Sequence, residues 1–243
     1  MKSMTKRART ILFILFVFLF ILMAPAVVFY SQGYRVDFDN RKIVRTGGFY
    51  FKVVPSRAEV YLNNELKKNT SIITNSVFIE NLLPKTYEVE IKRSGYHPWK
   101  KTLEVKEKEV TDAKNITLFP QNPQFTILKQ APPKITASAT SADKNKIVES
   151  DNYEIWVMLS EKKEKIFLTR FSEKISDIFW LNNDYLIFVV GNKIKIAEID
   201  NRDGLNIVDL AELEKPKIFW DKDAKKLYVI SEEKTYLLES LLP

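Results

Sequence analysis

Residues 11–30, ILFILFVFLFILMAPAVVFY, run for twenty positions without a charge. Coiled as a helix they span ~30 Å, the hydrocarbon thickness of a bilayer. No other feature constrains this chain as strongly, because an all-round apolar helix has no polar face to turn to water. Four cations, Lys2, Lys6, Arg7 and Arg9, precede the run and no acid accompanies them. Positive flanks stay cytoplasmic. The expected topology is therefore a single-pass anchor within 1–31, with the amino terminus inside and everything after Ser31 extracytoplasmic. Ala24-Pro25-Ala26 also has the form of a signal-peptidase site behind an apolar stretch Ile11–Met23. The apolar run continues through Val27, Val28, Phe29 and Tyr30, which favours a retained anchor over a cleaved leader.

The rest of the composition excludes much chemistry. There are no cysteines and one histidine, His97. Disulfides, thiolate zinc sites, a cysteine nucleophile and a multi-histidine metal centre are ruled out. Neither a G-x-S-x-G elbow nor a glycine-rich phosphate loop is present, and glycine occurs only six times. No catalytic, cofactor-binding or metal-ligating residue is expected, and no cofactor. The net charge is +7, but without the four leading cations 34 basic residues face 31 acidic ones, a balance of +3. These charges are interspersed, so no basic stripe for nucleic acid forms.

Beyond Gly33 the apolar periodicity changes to two. YRVDF and KIVRT, around Asp39-Asn40-Arg41, predict a hairpin in the lead-in 32–46. FYFKVV, AEVYLNN, SVFIENL, TYEVEIKR and WKKTLEVKEK follow, separated by turn residues. Val60 and Leu62 alternate with Glu59 and Tyr61, and Val89 and Ile91 with Glu88, Glu90 and Lys92. Short alternating strands at this spacing predict a small antiparallel β-sandwich over 47–119.

This stretch resembles a PEGA domain, a β-sandwich found on prokaryotic surface and envelope proteins. The family is named for a strand-entry tetrapeptide that here reads Pro55-Ser56-Arg57-Ala58. Pro55 and Ala58 match it, as do Pro84, Tyr87, Gly95 and Tyr96 further on. Arg57 and Lys85 stand where the family has glycine, so both turns are expected to run without a positive φ. The resemblance implies surface display, adhesion or scaffolding, and it carries no site residue.

FPQNPQFTILKQAPPK, Phe119 to Lys134, holds four of the ten prolines and predicts a stiff connector over 120–134. After it the chain repeats. Ile178-Phe179-Trp180 recurs as Ile218-Phe219-Trp220, and in the same forty-residue register Ile187 matches Leu227, Val189 matches Val229, Ile196 matches Tyr236 and Ala197 matches Leu237. A weaker copy with Ile147 and Trp156 lies upstream. Units of this period resemble degenerate WD-type propeller blades. Closure takes four or more blades, and 135–243 holds under three. A truncated longer architecture, an open stack of sheets, or completion by oligomerising remain. The fold class is mainly β: a transmembrane helix, a small antiparallel sandwich, then incomplete propeller-like repeats.

Several features look like sites. Glu88/Glu90 and Asp221/Asp223 are paired carboxylates at i, i+2, on strand and turn positions that water normally reaches. Asp221-Lys222-Asp223 begins like a calcium loop but has Lys226 and Glu232 where glycine and glutamate belong. Trp156, Trp180 and Trp220 fall where blades bury aromatics. Asn69 and Asn115 head glycosylation-type triplets. In KRSGYHPWKK, 92–101, His97 is read as one side chain on a turn whose alanine variant folds normally. Tyr96 and Trp99 are read as caps of the sandwich end, and the cations as exposed. The expected function is non-enzymatic: a membrane-anchored cell-envelope protein for display, binding or scaffolding, with an envelope protein or surface polysaccharide as partner. Alternatives are a carbohydrate-binding module using Tyr96 and Trp99, or a truncated propeller-type enzyme or sensor.

Overall fold

The computed structural model describes residues 5–133, 138–239 and 241–242. Lys2, Lys134, Ile135 and Pro243, which figure in the expectations above, lie outside them. The chain forms two compact units, one of Met1–Tyr50, Phe78–Thr86 and Glu104–Asp112, the other of Phe51–Val77, Tyr87–Leu103 and Ala113–Pro243. It is mainly β, with one amino-terminal helix and several small antiparallel sheets.

In the first unit α1 spans Lys6–Ser31 and buries none of its residues against protein. Thr5 caps it by accepting from the Ala8 N–H through Oγ1 at 3.4 Å. Pro25 lies inside the helix; lacking an N–H, it leaves the carbonyl one turn back without its usual donor. The helix is long and apolar enough to cross a membrane. A hairpin of β1 (Tyr34–Asp37) and β2 (Lys42–Arg45) follows at once, with Val36 opposite Ile43. Gly47 and Gly48 then lead in the next strand. A Cβ on Gly47 would meet the Lys106 carbonyl at 2.2 Å, so only glycine lets these backbones approach.

Seven strands make the sandwich: β3 (Gly47–Val54), β4 (Glu59–Leu62), β5 (Glu65–Asn69), β6 (Ser76–Leu82), β7 (Thr86–Lys92), β8 (Trp99–Glu104) and β9 (Val110–Thr117). They form sheets of order β6-β3-β9 and β5-β4-β7-β8. The alternation read from sequence sets the inward faces: Phe49, Phe51 and Val53 on β3, Val60 and Leu62 on β4, Val89 and Ile91 on β7 are all buried. One expectation fails. Arg57 has φ +61, while Lys85 is not among the left-handed residues. The turn from Pro55 into β4 needs the left-handed conformation that glycine adopts freely, and an L-residue there costs ~1–2 kcal/mol.

Eleven further strands complete the second unit. They are β10 (Thr126–Leu128), β11 (Lys146–Ser150), β12 (Glu154–Leu159), β13 (Glu164–Arg170), β14 (Ile175–Trp180), β15 (Tyr185–Val190), β16 (Lys193–Glu198), β17 (Ile207–Glu212), β18 (Lys217–Asp221), β19 (Lys226–Ser231) and β20 (Lys234–Leu238). Three sheets result, of order β11-β12-β13, β14-β15-β16-β17 and β10-β20-β19-β18. They stack through two cores. Leu186, Phe188 and Val190 face one with Val148, Ile155 and Val157 of the first sheet. Ile187, Val189, Ile194 and Ile196 face the other with Ile218, Trp220, Leu227 and Val229 of the last. The middle sheet is thus apolar on both faces, which is why β15 is buried at every residue.

Two details revise the sequence reading. First, the 120–134 segment is more than a connector, because β10 pairs antiparallel with β20, Ile127 opposite Tyr236. It fills the outer place that β17 holds in the middle sheet. Second, the forty-residue register holds only in the first strand of each repeat. Trp180 pairs with Leu186, but Trp220 pairs with Leu227. One extra residue in the turn after β18 makes Leu227 the counterpart of Leu186, not Ile187. The faces agree: Leu186 and Leu227 both point toward the preceding sheet.

Candidate functional site

The turn and strand of KRSGYHPWKK hold a dense polar network, all within the second unit. Gly95, at φ +82, reverses the chain. The turn is then tied to the segment after β9. The His97 N–H donates to the Phe119 carbonyl at 2.8 Å, and the Gln121 N–H to the Gly95 carbonyl at 2.9 Å. Arg93 lies 5.2 Å from the Tyr96 ring centre and donates through Nη1 to the Ser56 carbonyl at 2.7 Å.

From there β8 carries Trp99, Lys101 and Leu103 inward and Lys100 and Glu104 outward. Trp99 is 3% exposed, with its ring edge-on to Phe51 at 6.4 Å. Its Nε1–H donates to Glu198 Oε2 at 2.8 Å. Lys101 occupies an inward position on an apolar face, and its side chain is fully buried. Its Nζ lies 2.7 Å from Glu198 Oε1 and donates to the carbonyls of Asp200, Arg202 and Gly204 at 2.8, 2.9 and 2.6 Å. Three N–H groups thus meet four oxygens. The β16–β17 connection wraps the ammonium as a loop wraps a bound cation, with Asp203 and Gly204 left-handed at φ +58 and +98.

Asn206 completes the network. Its N–H and Nδ2 donate to Glu198 Oε1 at 3.0 and 2.7 Å. Nδ2 also donates to the Lys100 carbonyl at 3.0 Å, and Oδ1 accepts from the Lys100 N–H at 3.1 Å, so the amide continues the sheet like a strand backbone. Outside, the Thr102 N–H donates to Asp203 Oδ2, and these hydrogen bonds from Thr102 hold the Asp203 carboxyl below its ordinary value.

Every oxygen of Glu198 is engaged, and Lys101 has no free N–H. The network ties β8 to β16 and to the β16–β17 connection. The expectation that the cations of this stretch lie outside is corrected for Lys101. The signal was present: Lys101 is in register with Trp99, Leu103 and Val105. Trp99, being buried, presents no face to a sugar ring.

His97 is half-buried, and among the described residues its buried Nε2 meets no hydrogen-bond partner. Burial pushes its pKa below the ordinary 6.5, against the opposing charge of Asp209. The neutral imidazole is therefore the form that fits, and protonation disfavours the folded state. Its contribution to stability is complete above 6.5 and is lost as pH falls through the lowered value. Following the lone imidazole by proton NMR should show that low-pH titration. His97→Phe should flatten the acid side of the stability curve, and an unchanged slope would remove His97 as its source. The cavity beside His97, lined by Trp99, Phe119, Tyr185 and Ile196, is only about 20 Å³, too small for a ligand.

The remaining sequence candidates are spent locally. Glu90 pairs with Lys92 and Lys100 at 2.6 and 2.8 Å; burial works against its charge, but these two lysines outweigh it and lower its pKa. Glu88 is exposed on the same strand. An open groove of about 220 Å³ between Glu88, Glu90, Lys100 and Asp203 lies below the ordinary ~300–1,000 Å³ of ligand pockets. Asp221 Oδ1 accepts from the N–H groups of Asp223 and Ala224 at 3.1 and 2.9 Å, which makes it a turn residue. Trp180 and Trp220 are core, at 6% and 3% exposed. Trp156 is half-buried, edge-on to Phe167 at 4.9 Å with Lys165 over its ring. Asn69 and Asn115 are exposed. Among the described residues no three His, Cys, Asp or Glu side chains gather as metal ligands.

No family model matches the chain, and no curated protein matches it. Among solved structures it is similar to a structural genomics protein of unknown function from Bacteroides thetaiotaomicron, at 12% identity and a TM-score of 0.31. That match covers 72% of this chain, which spans 60% of the other protein's length.

Proposed function

We propose that this chain is a membrane-anchored, non-enzymatic protein that displays a rigid β region on the extracytoplasmic side of the cell envelope for binding or scaffolding. The observation that carries this reading is α1: a 26-residue helix, none of it buried, joined directly to a β fold. Lys6, Arg7 and Arg9 at its amino end favour a cytoplasmic start. The Pro55…Ala58, Pro84…Tyr87 and Gly95-Tyr96 pattern of PEGA domains supports display. The saturated Lys101–Glu198 network supports rigidity over catalysis.

A polysaccharide-binding reading now rests on Trp156 and Phe167. Phe167 is 44% exposed beside the Trp156 ring, a pair that could stack on a sugar. Protease added outside intact cells should degrade the β region and leave a short amino-terminal fragment. Complete protection would overturn the proposed orientation. A glycan array whose hits vanish with Trp156→Ala would favour the polysaccharide reading.

A further inference from the structure

We propose that the β1–β2 hairpin is a second membrane contact, seated in the headgroup layer of the phospholipid bilayer that α1 crosses. The proposal rests on the anchor reading of α1.

The hairpin presents apolar residues that the protein does not cover. Val36 and Ile43, opposite each other across the ladder, are 50% and 71% exposed, and Phe38 in the turn is 84% exposed. The turn is built to hold Phe38 outward. Asp37 accepts from the N–H groups of Asp39 and Asn40 at 3.0 and 3.2 Å and from Asn40 Nδ2 at 2.8 Å. Arg41 and Lys42, both exposed, flank the same tip. Exposed apolar side chains beside cations match a lipid interface, where acyl chains and phosphates lie within a few ångströms of each other.

What places this surface at the membrane is its attachment to the helix. Only Gln32 and Gly33 separate α1 from β1. The Gly33 carbonyl accepts from the Thr46 N–H at 2.9 Å and from Thr46 Oγ1 at 3.1 Å, so the hairpin is pinned to the helix end. Phe29 meets Tyr34 edge-on at 5.5 Å. The Arg35 guanidinium lies 3.4 Å from the Tyr30 ring centre and donates to the carbonyls of Tyr30 and Tyr34 at 2.8 and 2.9 Å.

The hairpin also leans back along the helix. A groove of about 460 Å³ is lined by Ala26, Phe29 and Tyr30 of α1 and by Tyr34, Arg35, Val36 and Ile43 of the hairpin, the Arg35 guanidinium being held against the Tyr30 ring and carbonyl. Ala26 lies ~7 Å inside the end of the helix at 1.5 Å per residue. If residues 11–30 fill the hydrocarbon layer, the apolar face of the hairpin stands beside helix that is already in lipid. The groove is then filled by the upper part of lipid chains, and Arg41 and Lys42 meet phosphate.

The chain has no cysteine, so single cysteines report unique positions. The full chain carrying Phe38→Cys, Ile43→Cys or, in the helix, Phe18→Cys is labelled with a polarity-sensitive dye. It is reconstituted in vesicles of phosphatidylcholine and phosphatidylglycerol. Labels at 38 and 43 should be quenched by lipid-borne nitroxide and protected from aqueous iodide relative to free dye. Iodide access equal to that of free dye at both positions, with the label at 18 still quenched by nitroxide, would overturn the proposal and leave the anchor standing. No nitroxide quenching at 18 would remove the anchor and the proposal with it.

Discussion

Lys101→Met should destabilise the β fold by about 3–5 kcal/mol, because it strands a charge in the interior. Glu198 is 5% exposed at the side chain and has Lys101 as its only cationic partner within 4 Å among the described residues. The carbonyls of Asp200, Arg202 and Gly204 would lose their shared donor in the same step. Methionine keeps most of the lysine stem, so packing of the aliphatic part is largely spared and the cost reports the charge. Glu198→Leu should be comparably harmful for the converse reason, and it also leaves Trp99 Nε1 without its acceptor. The double variant should lose far less than the sum, since no orphan charge remains. Urea unfolding of the full chain in micelles, followed by circular dichroism, measures all three. A single-variant cost near the ~0–1 kcal/mol of exposed pairs, or strict additivity, would show that the network does not lock the fold.

That network also shows where sequence reasoning stops. Alternation on β4 and β7 was legible because each inward place is apolar and each outward place polar, and on β3 Lys52 alone marks the outward side between Phe51 and Val53. On β8 the same alternation places Lys101 inside, but a lysine is so rarely buried without a partner that the residue type outweighs its register. The partner, Glu198, lies 97 positions away in sequence, and nothing local marks it. Strand β10 was hidden for another reason: three residues among prolines have no strand signal of their own and pair only because β20 offers an edge. The repeat was visible, yet its register slipped. Ile187 and Leu227 align by the forty-residue spacing, whereas Leu186 and Leu227 align by face, and the ladder separates the two. Arg57 shows the limit of turn reading, since the left-handed conformation there is imposed by the turn and not chosen by the residue.

The second large effect concerns α1. Replacing Phe18 and Leu19, at the middle of the helix, with aspartate should abolish stable membrane integration. Each acidic residue at a helix centre costs about 2.5–3.5 kcal/mol of insertion free energy, so the pair costs ~5–7 kcal/mol. Among the described residues no other helix stands by to shelter a charge, and both positions lie too far from either end to snorkel. The wild-type chain should stay in the pellet through an alkaline carbonate wash at its full intact mass. The double variant should be released by the wash. A soluble wild-type product beginning near Val27 would mean that Ala24-Pro25-Ala26 is cut and that the helix is a leader. A double variant that resists the wash like wild type would shift the weight of attachment away from α1. The hairpin alone is too small a surface for that: three exposed apolar side chains at ~1.5–3 kcal/mol apiece, even if fully buried, fall well short of twenty uncharged residues crossing the bilayer.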